Sequence, residues 1–521
     1  MVLQVAYRKP RIRVNTARRA TVATLPAPVG GWNTRDSLTN MPTKDALILD
    51  NWFPDISHVQ MRQGYESHCN TATTTRIDTL HEHVDDTNRQ LLAFTGGKIF
   101  NASTSTAASL KTGLANNRWT CVNFKQVSVM VNGSDTPQQY NGTTVSNATY
   151  TGISDPTVLV GVTVFKERLF FWENSSASFW YAQSRAISGV LSEYPLSMVG
   201  TKGGVVVGIA TWSVDTGAGP DDLLCIFLSG GFVVIYSGSN PGDATQWGIV
   251  GIYNIGQPVH QRAIVKYGSD LLIVTREGYD SLSNILKDEL QVASAALSDK
   301  ISHTANEVVR DHFSNFGWQI QPYPQGKYII FNVPKTSVTF TQHVMNIRTK
   351  AWCSFSAQNG SCWALFNGGL YFGGQDGIVY HADTGTSDNG TAITADARTS
   401  WNYFGKPGQL KRWTGTRFQL SASGTINYTY RQDYDFRLKQ DTGASGAASV
   451  LASGTGDVDG PPWDTTPWDE ANWASEAPVT MGWKSAAGFG IAASTRLRIS
   501  NATLNVSWLG TQHMIEPGGL L

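Results

Sequence analysis

Pairs of short apolar stretches, each broken by a glycine turn, recur along this chain and constrain its fold more than any other feature. Residues 91–94 and 99–100 flank Gly96-Gly97, and residues 225–228 and 232–236 flank a second glycine pair. Glycine readily adopts the positive φ that tight hairpins require, so each pair predicts two antiparallel strands joined by a short turn. The chain is therefore expected to be all-β.

The hairpin pattern returns several times, and its spacing predicts how the strands are grouped. Turns of this kind occur at Gly97, Gly133, Gly278, Gly326 and Gly369. Where these turns follow one another closely, they are separated by roughly the 40 to 50 residues of a four-stranded propeller blade. We therefore predict a β-propeller of about six blades. A long β-sandwich and a stacked-sheet fibre are the alternatives.

Short helical insertions are expected at two places. Residues 43–51 are predicted to be helical because Thr43 is a good N-cap and a proline soon ends the segment. Residues 299–313 carry apolar side chains at helical spacing, which predicts a second helix.

Composition changes along the chain and predicts three regions. Residues 1–28 form a basic N-terminal arm, residues 29–390 form the propeller core, and residues 391–521 form a smaller C-terminal β domain. In the last region, residues 441–462 are rich in Gly, Ala, Ser and Asp, which predicts a loop. Tryptophans crowd together after that loop, at Trp463, Trp468, Trp473 and Trp483.

The balance of charge and the cysteine usage exclude several classes of protein. Lysine plus arginine and aspartate plus glutamate are equal at 40 each, so no global field attracts a polyanion or a membrane. The five cysteines are odd in number and never form a CxxC pair, which argues against a disulfide framework and a zinc site. The first twenty residues lack the apolar stretch of a secretory signal, so a reducing cytosol is expected.

Sequence patterns typical of catalysis are few. His81 and His83 share one face of a predicted strand and could bind a metal, but a third ligand at fixed spacing is missing, so a solvated strand is the expected role. Residues 457–460 resemble the start of a calcium loop, but prolines follow where ligands should lie. No P-loop, GxSxG or HExxH motif is present. We predict no enzymatic activity, no catalytic residues, no metal and no cofactor.

Two interpretations of the tryptophan cluster are open. Trp463, Trp468 and Trp473 could stack on sugars, or they could fill an interface with a fibre or a neighbouring subunit. Large aromatic side chains dominate interface energetics, which favours the second interpretation.

Three stretches of the sequence resemble one known family. The first is Gly30-Gly31-Trp32-Asn33-Thr34-Arg35-Asp36, continued by Met41-Pro42, by Asp45-Ala46-Leu47-Ile48-Leu49-Asp50-Asn51-Trp52-Phe53-Pro54 and by Arg62, Gly64 and Tyr65. The second is Phe165-Lys166-Glu167-Arg168-Leu169-Phe170-Phe171-Trp172-Glu173, with Phe179-Trp180-Tyr181-Ala182 after it. The third is Ser400-Trp401-Asn402-Tyr403-Phe404-Gly405 through Lys411-Arg412-Trp413. Together they resemble the tail nozzle or tail hub subunits (tail tubular protein B-like) of short-tailed bacteriophages, the podoviruses.

That resemblance implies a structural virion protein. Subunits of this family form a closed ring, here expected to be a hexamer, that conducts double-stranded DNA during ejection. The ring docks on the tail adaptor protein, carries fibres or spikes and faces the host outer surface. The expected location is the virion tail, after assembly in the host cytoplasm.

The N-terminal arm is assigned to the adaptor or DNA interface because its charge is one-sided. Its basic residues are Arg8, Lys9, Arg11, Arg13, Arg18 and Arg19, with no acid among them.

Two other functions are weighed against the nozzle. A tail fibre or spike would bind or cleave host surface polysaccharide, and an assay of reducing ends would distinguish it. A secreted, lectin-like propeller would need an export signal, which disfavours it.

Overall fold

The computed structural model describes residues 20–86, 88–196, 204–215, 220–289, 296–437, 452–456, 479 and 482–520. Six strands come before the first complete sheet of the chain. They are β1 (Thr21–Pro26), β2 (Gly31–Trp32), β3 (Asp45–Asp50), β4 (Trp52–Pro54), β5 (Val59–Met61) and β6 (Tyr65–Asn70).

Four sheets follow, and each is built from strands that are consecutive in the chain; their pairs are antiparallel except for β15 and β19 of blade 3, which pair in parallel. Blade 1 contains β7 (Thr79–Val84), β8 (Arg89–Thr95), β9 (Lys98–Asn101) and β10 (Ala108–Thr112). Blade 2 contains β11 (Thr120–Phe124), β12 (Val127–Val131), β13 (Gln138–Tyr140) and β14 (Val145–Asn147). Blade 3 contains β15 (Tyr150–Thr151), β16 (Leu159–Phe165), β17 (Arg168–Glu173), β18 (Ser178–Ala182) and β19 (Gly189–Pro195). Blade 4 contains β20 (Val206–Asp215), β21 (Pro220–Leu228), β22 (Phe232–Gly238) and β23 (Trp247–Asn254).

The next sheet has three strands, and helices follow it. Blade 5 contains β24 (Ile264–Tyr267), β25 (Asp270–Thr275) and β26 (Gly278–Ser281), followed by α1 (Leu282–Glu289) and α2 (Ser302–His312). Helix α2 confirms the helix expected near residues 299–313. It buries Ala305 and Val309 against a core that also contains Trp318 and Phe331.

The last two blades join the propeller to the rest of the chain. Blade 6 contains β27 (Gln319–Tyr323), β28 (Tyr328–Pro334), β29 (Phe340–Asn346) and β30 (Trp352–Phe355). Blade 7 contains β31 (Trp363–Phe366), β32 (Gly369–Gly373) and β33 (Ile378–Ala382), and its outer strand is β6 from the start of the chain. An early strand thus closes the last blade.

The seven sheets form a closed ring, which makes this part of the chain a β-propeller. The innermost strands contact one another in cyclic order, from β7 through β11, β16, β20, β24, β27 and β31 and back to β7. The described residues therefore contain seven blades, one more than the six expected. The prediction missed blade 3, because it counted glycine turns. The turn between β16 and β17 has Lys166 and Glu167 at positive φ instead of glycine.

A two-layer β-sandwich forms the second unit. Its strands after blade 7 are β34 (Ser387–Asp388), β35 (Thr391–Thr399), β36 (Gln409–Ala422), β37 (Ile426–Tyr434), β38 (Ala452–Gly456), β39 (Lys484–Gly490), β40 (Ala493–Asn501) and β41 (Val506–Leu520). One layer has the order β39-β36-β41-β5-β4, and the other contains β3, β35, β40, β37 and β38. Phe418 of the first layer packs on Tyr428 and Tyr430 of the second.

The start of the chain belongs to this sandwich, which corrects the predicted boundary at residues 28 and 29. Strand β1 pairs with β41, so residues 21–26 are part of a sheet, while residues 1–19 lie outside the described residues. Residues 31–61 also build the sandwich, although they were assigned to the propeller core. The C-terminal part of the sandwich begins at β34 (Ser387–Asp388), a few residues before the predicted boundary at residue 391.

The helix expected at residues 43–51 is wrong, because this segment contains β3. Strand β3 pairs with β2 in parallel and with β35 in antiparallel orientation, and it buries Ala46 and Leu49. The local pattern of a short apolar run is compatible with a helix and with a strand, and the available sheet partners decide which of the two forms. No helix of the described residues is long and apolar enough to cross a membrane.

Candidate functional site

The propeller axis contains a small cavity of about 240 Å³. It is lined by residues of the innermost strands and the loops before them, including Thr79, Trp119, Thr163, Gly208, Arg262 and Trp363. The major groove of B-DNA alone is about 12 Å wide. The axial cavity is therefore far too small to hold a DNA duplex.

A larger pocket of about 390 Å³ opens beside the axis, on the face where the innermost strands begin, and we call it the axial mouth. Its lining comes from loops of blades 2 to 5 and includes Asn116, Arg118, Asn132, Asn174, Gln257, His260, Gln261 and Phe313. Gln261 lines both this mouth and the axial cavity, so the two spaces are neighbours.

The loop that follows α2 places Phe313 in the wall of the axial mouth and Phe316 next to it, against the lining residues Arg118 and His260. Three interactions hold this loop: the Trp318 indole donates to the carbonyl of His312 at 2.9 Å, the Asn315 amide donates to the carbonyl of Pro334 at 2.9 Å, and Gly317 lies against the Phe340 ring. The loop therefore presents Phe313 and Phe316 from a fixed backbone.

Four arginine side chains lie over these two rings. The guanidinium of Arg118 is 4.0 Å from the centroid of Phe316, and those of Arg76 and Arg262 are both 5.3 Å from it. Arg276 lies 4.3 Å from the centroid of Phe313. Cations at such distances are attracted to the ring faces, so the loop and the arginines hold one another in place.

The buried members of this cluster are bound to the protein itself. Arg262 donates to the carbonyls of Asp78 and Trp119 at 2.8 and 3.1 Å and to the Thr79 hydroxyl at 2.6 Å. Burial lowers the pKa of the Arg262 guanidinium. Burial also lowers the pKa of His260 to about 3, helped by the nearby charges of Arg262 and Arg118, so this imidazole is neutral at physiological pH.

All nine predicted interface residues lie outside the described residues. This applies to all six basic residues of the arm, Arg8, Lys9, Arg11, Arg13, Arg18 and Arg19, and to Trp463, Trp468 and Trp473. The Asp457–Gly460 segment also falls there. Trp483 is described: it is partly exposed, and the Arg417 guanidinium lies 4.7 Å from its ring centroid.

His81 and His83 do share one side of a strand, as predicted, but that side faces blade 2 instead of water. The Ser128 hydroxyl lies 3.1 Å from Nε2 of His81 and 2.7 Å from Nδ1 of His83. Burial lowers the pKa of His81 to about 4. The expected solvated strand is thus wrong for His83, which is fully buried. Within the described ranges, no three His, Cys, Asp or Glu side chains gather as a metal site.

Comparisons with known proteins concern the architecture. No family model matches the chain, and no curated protein matches its sequence. Solved structures that match include Ycf48 bound to D1 peptide, at 10% identity and a TM-score of 0.37, covering 61% of this chain and 95% of that one. Ycf48 from Cyanidioschyzon merolae matches at 11% identity and a TM-score of 0.40, covering 61% and 98%. BBS1N in complex with ARL6DN matches at 11% identity and a TM-score of 0.39, covering 62% and 97%.

These matched structures are β-propellers. The cyclic order of the seven sheets in this chain shows the same fold class without reference to them.

Sequence reasoning missed the arginine cluster at the axial mouth. Its members are Arg76, Arg118, Arg262 and Arg276, and they precede or follow strands of three different blades. No local motif joins them, so only the closed ring brings them together.

Proposed function

We propose that this chain is a structural subunit of the ring-shaped tail nozzle of a short-tailed bacteriophage. The ring conducts double-stranded DNA through a lumen between subunits, docks on the tail adaptor protein and carries fibres or spikes. The resemblance of residues 30–65 to nozzle subunits supports this proposal. In the structure this segment forms β2 to β5, and these strands connect the sandwich with the propeller.

The observation that carries the assembly part of the proposal is an apolar sheet edge. Strand β23 is the outer strand of blade 4, and its residues 247–254 include no charged side chain. Ile249, Val250 and Ile252 on this strand are 47%, 51% and 43% exposed. Proteins normally protect such edges with charges, prolines or bulges, and β23 has a single bulge at Val250 but neither a charge nor a proline. Its exposed apolar side chains therefore mark a site of association. We assign it to the contact between neighbouring subunits of the ring.

Two lysines on this edge test the assignment. The purified chain is expected to form closed rings, observed by negative-stain imaging and by sedimentation, and the double variant Ile249→Lys/Val250→Lys is expected to stay monomeric. Val338→Lys is the matched control, because Val338 is 56% exposed but lies away from β23. A monomeric unmodified chain, or rings that survive the double variant, would refute the assignment.

Labelling of intact virions tests the location. An antibody to this chain is expected to label the tail shaft or the tail tip. Label on lateral spikes alone would instead indicate the fibre or spike function.

The basic arm is proposed to bind the adaptor ring or DNA. Because β1 begins at Thr21, a deletion of residues 2–19 leaves every described strand in place. The truncated chain is expected to keep its melting temperature and to lose binding to the adaptor. Unchanged binding would exclude the arm as the docking element.

A further inference from the structure

The axial mouth presents one arginine whose side-chain hydrogen-bond donors have no partner among the described residues. Within the described residues, the Arg118 side chain donates no hydrogen bond and lies 4.0 Å from a single carboxylate oxygen, that of Asp78. The side chain is half exposed and stacks on Phe316 at 4.0 Å. A guanidinium held over the face of an aromatic ring is preorganised, and its N–H donors can still bind a ligand. These donors match the two oxygens of a carboxylate.

The local balance of charge favours an anion, though only a singly charged one. Four arginines surround the Phe313 and Phe316 rings. Three carboxylates lie on the same side of the propeller. Asp78 pairs with Arg76, Asp135 accepts from the backbone of Asn116, and Glu277 lies beside Gly256. Among the described residues that line the pocket, Arg118 alone carries a charge, because the pKa of His260 is lowered to about 3.

The remaining lining of the mouth suits hydroxyl groups. The Gln261 amide donates to the Thr120 hydroxyl and its Oε1 is buried, so this side chain belongs to the wall of the pocket. The amides of Asn174 and Gln257 line the same pocket, and Val160 and Phe313 give it an apolar side.

We propose that the axial mouth binds one unit of an acidic saccharide, with its carboxylate on Arg118 and its hydroxyls toward the amides of Asn174 and Gln257. The pocket volume of about 390 Å³ lies in the range of small-molecule sites. An aromatic face, a single guanidinium without a hydrogen-bond partner and neutral amides fit a sugar acid better than a phosphate, which carries more charge and has no apolar face to pack on the ring. This inference stands on the pocket alone and does not depend on the nozzle function.

Glucuronic acid and glucose are the test ligands, because they differ only in a carboxylate and a hydroxymethyl group. Titration calorimetry or ligand-observed NMR with the full chain is expected to detect glucuronate and to show at least tenfold weaker binding of glucose. Arg118→Gln is expected to weaken glucuronate binding at least tenfold, and Arg118→Lys is expected to weaken it less. Arg310→Gln is the matched control, since Arg310 is an exposed arginine on α2 that pairs with Asp311.

Each other outcome overturns the proposal. Equal binding of glucose and glucuronate would remove the role of the carboxylate. Inorganic phosphate that binds as tightly as glucuronate would show a general anion site. No binding by a chain that melts normally, or unchanged binding by a folded Arg118→Gln variant, would exclude the site altogether.

Discussion

Arg62 and Asp388 are 326 positions apart and form a bidentate ion pair that is almost fully buried, with N···O distances of 2.8 and 2.6 Å. The Arg62 guanidinium also donates to Asn51 Oδ1 at 2.7 Å and to the carbonyl of Ser356 at 2.9 Å. These partners belong to the sandwich and to the loop after blade 6. One side chain thus ties together the segments that meet where the two units join.

Breaking this pair should destabilise the whole chain. In Arg62→Met the Asp388 carboxylate stays buried without its partner, and loss of one member of a buried pair costs about 3 to 5 kcal/mol. Urea unfolding followed by fluorescence measures this change. A double variant that also carries Asp388→Asn should recover part of the loss, because the buried charge is then removed.

Arg185→Ala is the control for that experiment. Arg185 pairs with Glu167 on an exposed turn, and exposed pairs add little stability. No measurable change is expected. If Arg62→Met is equally silent, the buried pair does not hold the units together.

Gly64 should not tolerate a methyl group. A Cβ at this position would lie 1.9 Å from the Ser387 carbonyl oxygen, and the backbone N–H of Gly64 donates to the carbonyl of Gly385 at 3.0 Å. Overpacking a core typically costs about 1 to 3 kcal/mol. Gly64→Ala is expected to lower the free energy of unfolding by at least this amount. Gly248→Ala is the control, because a Cβ there meets nothing within 4 Å. A shift of the melting temperature in Gly64→Ala but not in Gly248→Ala is the expected result.

Acid should destabilise the protein through buried histidines. Burial lowers the pKa of His343 to about 3 and that of His513 to about 4, whereas an unfolded histidine has a pKa of about 6.5. Both stay neutral in the folded state as the pH falls below 6.5, while the unfolded chain takes up protons. The stabilisation that comes from the neutral buried histidines is therefore complete above about pH 6.5. It is lost toward pH 4, where the free energy of unfolding falls by about 1.4 kcal/mol per pH unit for each histidine.

Unfolding by urea at pH 7, 6 and 5 measures that slope. In His513→Gln, the slope of the unfolding free energy against pH is expected to fall by the contribution of one proton. His303→Gln replaces an exposed histidine and is expected to leave it unchanged. An identical slope in all three proteins would contradict the assignment.

The thiols should react only after unfolding. All five cysteines are free, and burial raises their pKa, for example to about 11 for Cys69 and about 12 for Cys121 and Cys362. Thiolates are the reactive form, so a colorimetric thiol reagent at pH 8 is expected to detect almost none in the native protein and five in denaturant. Rapid reaction of the native protein would show that a cysteine is accessible.

The glycine turns predicted the blades because a tight hairpin leaves a local mark. Gly96 and Gly97 both have positive φ in the turn from β8 to β9, as the pattern indicated. The turn from β16 to β17 achieves the same geometry with Lys166 and Glu167, and it left no such mark. Local patterns also cannot show which distant strand fills an open edge, so the pairing of β6 with β33 was not predicted.

The candidate site was harder to predict than the fold. Arg118 and Phe316 contact each other across 198 positions of sequence, and neither belongs to a motif. Their meeting depends on the ring closing in a definite order. The histidine pair was found from its strand spacing, but its burial was not, because Ser128 belongs to the next blade.

The pairings of β6 with β33 and of β1 with β41 also determine when the chain can finish folding. Blade 7 stays open on the ribosome until residues 378–382 have been synthesised, and β1 has no partner until the segment from Val506 emerges. The first strands to be translated are thus among the last to find their partners. Until then, the N-terminal segment of the nascent chain is exposed and unpaired. At this stage, premature release from the ribosome or binding of a chaperone could determine the yield of native protein.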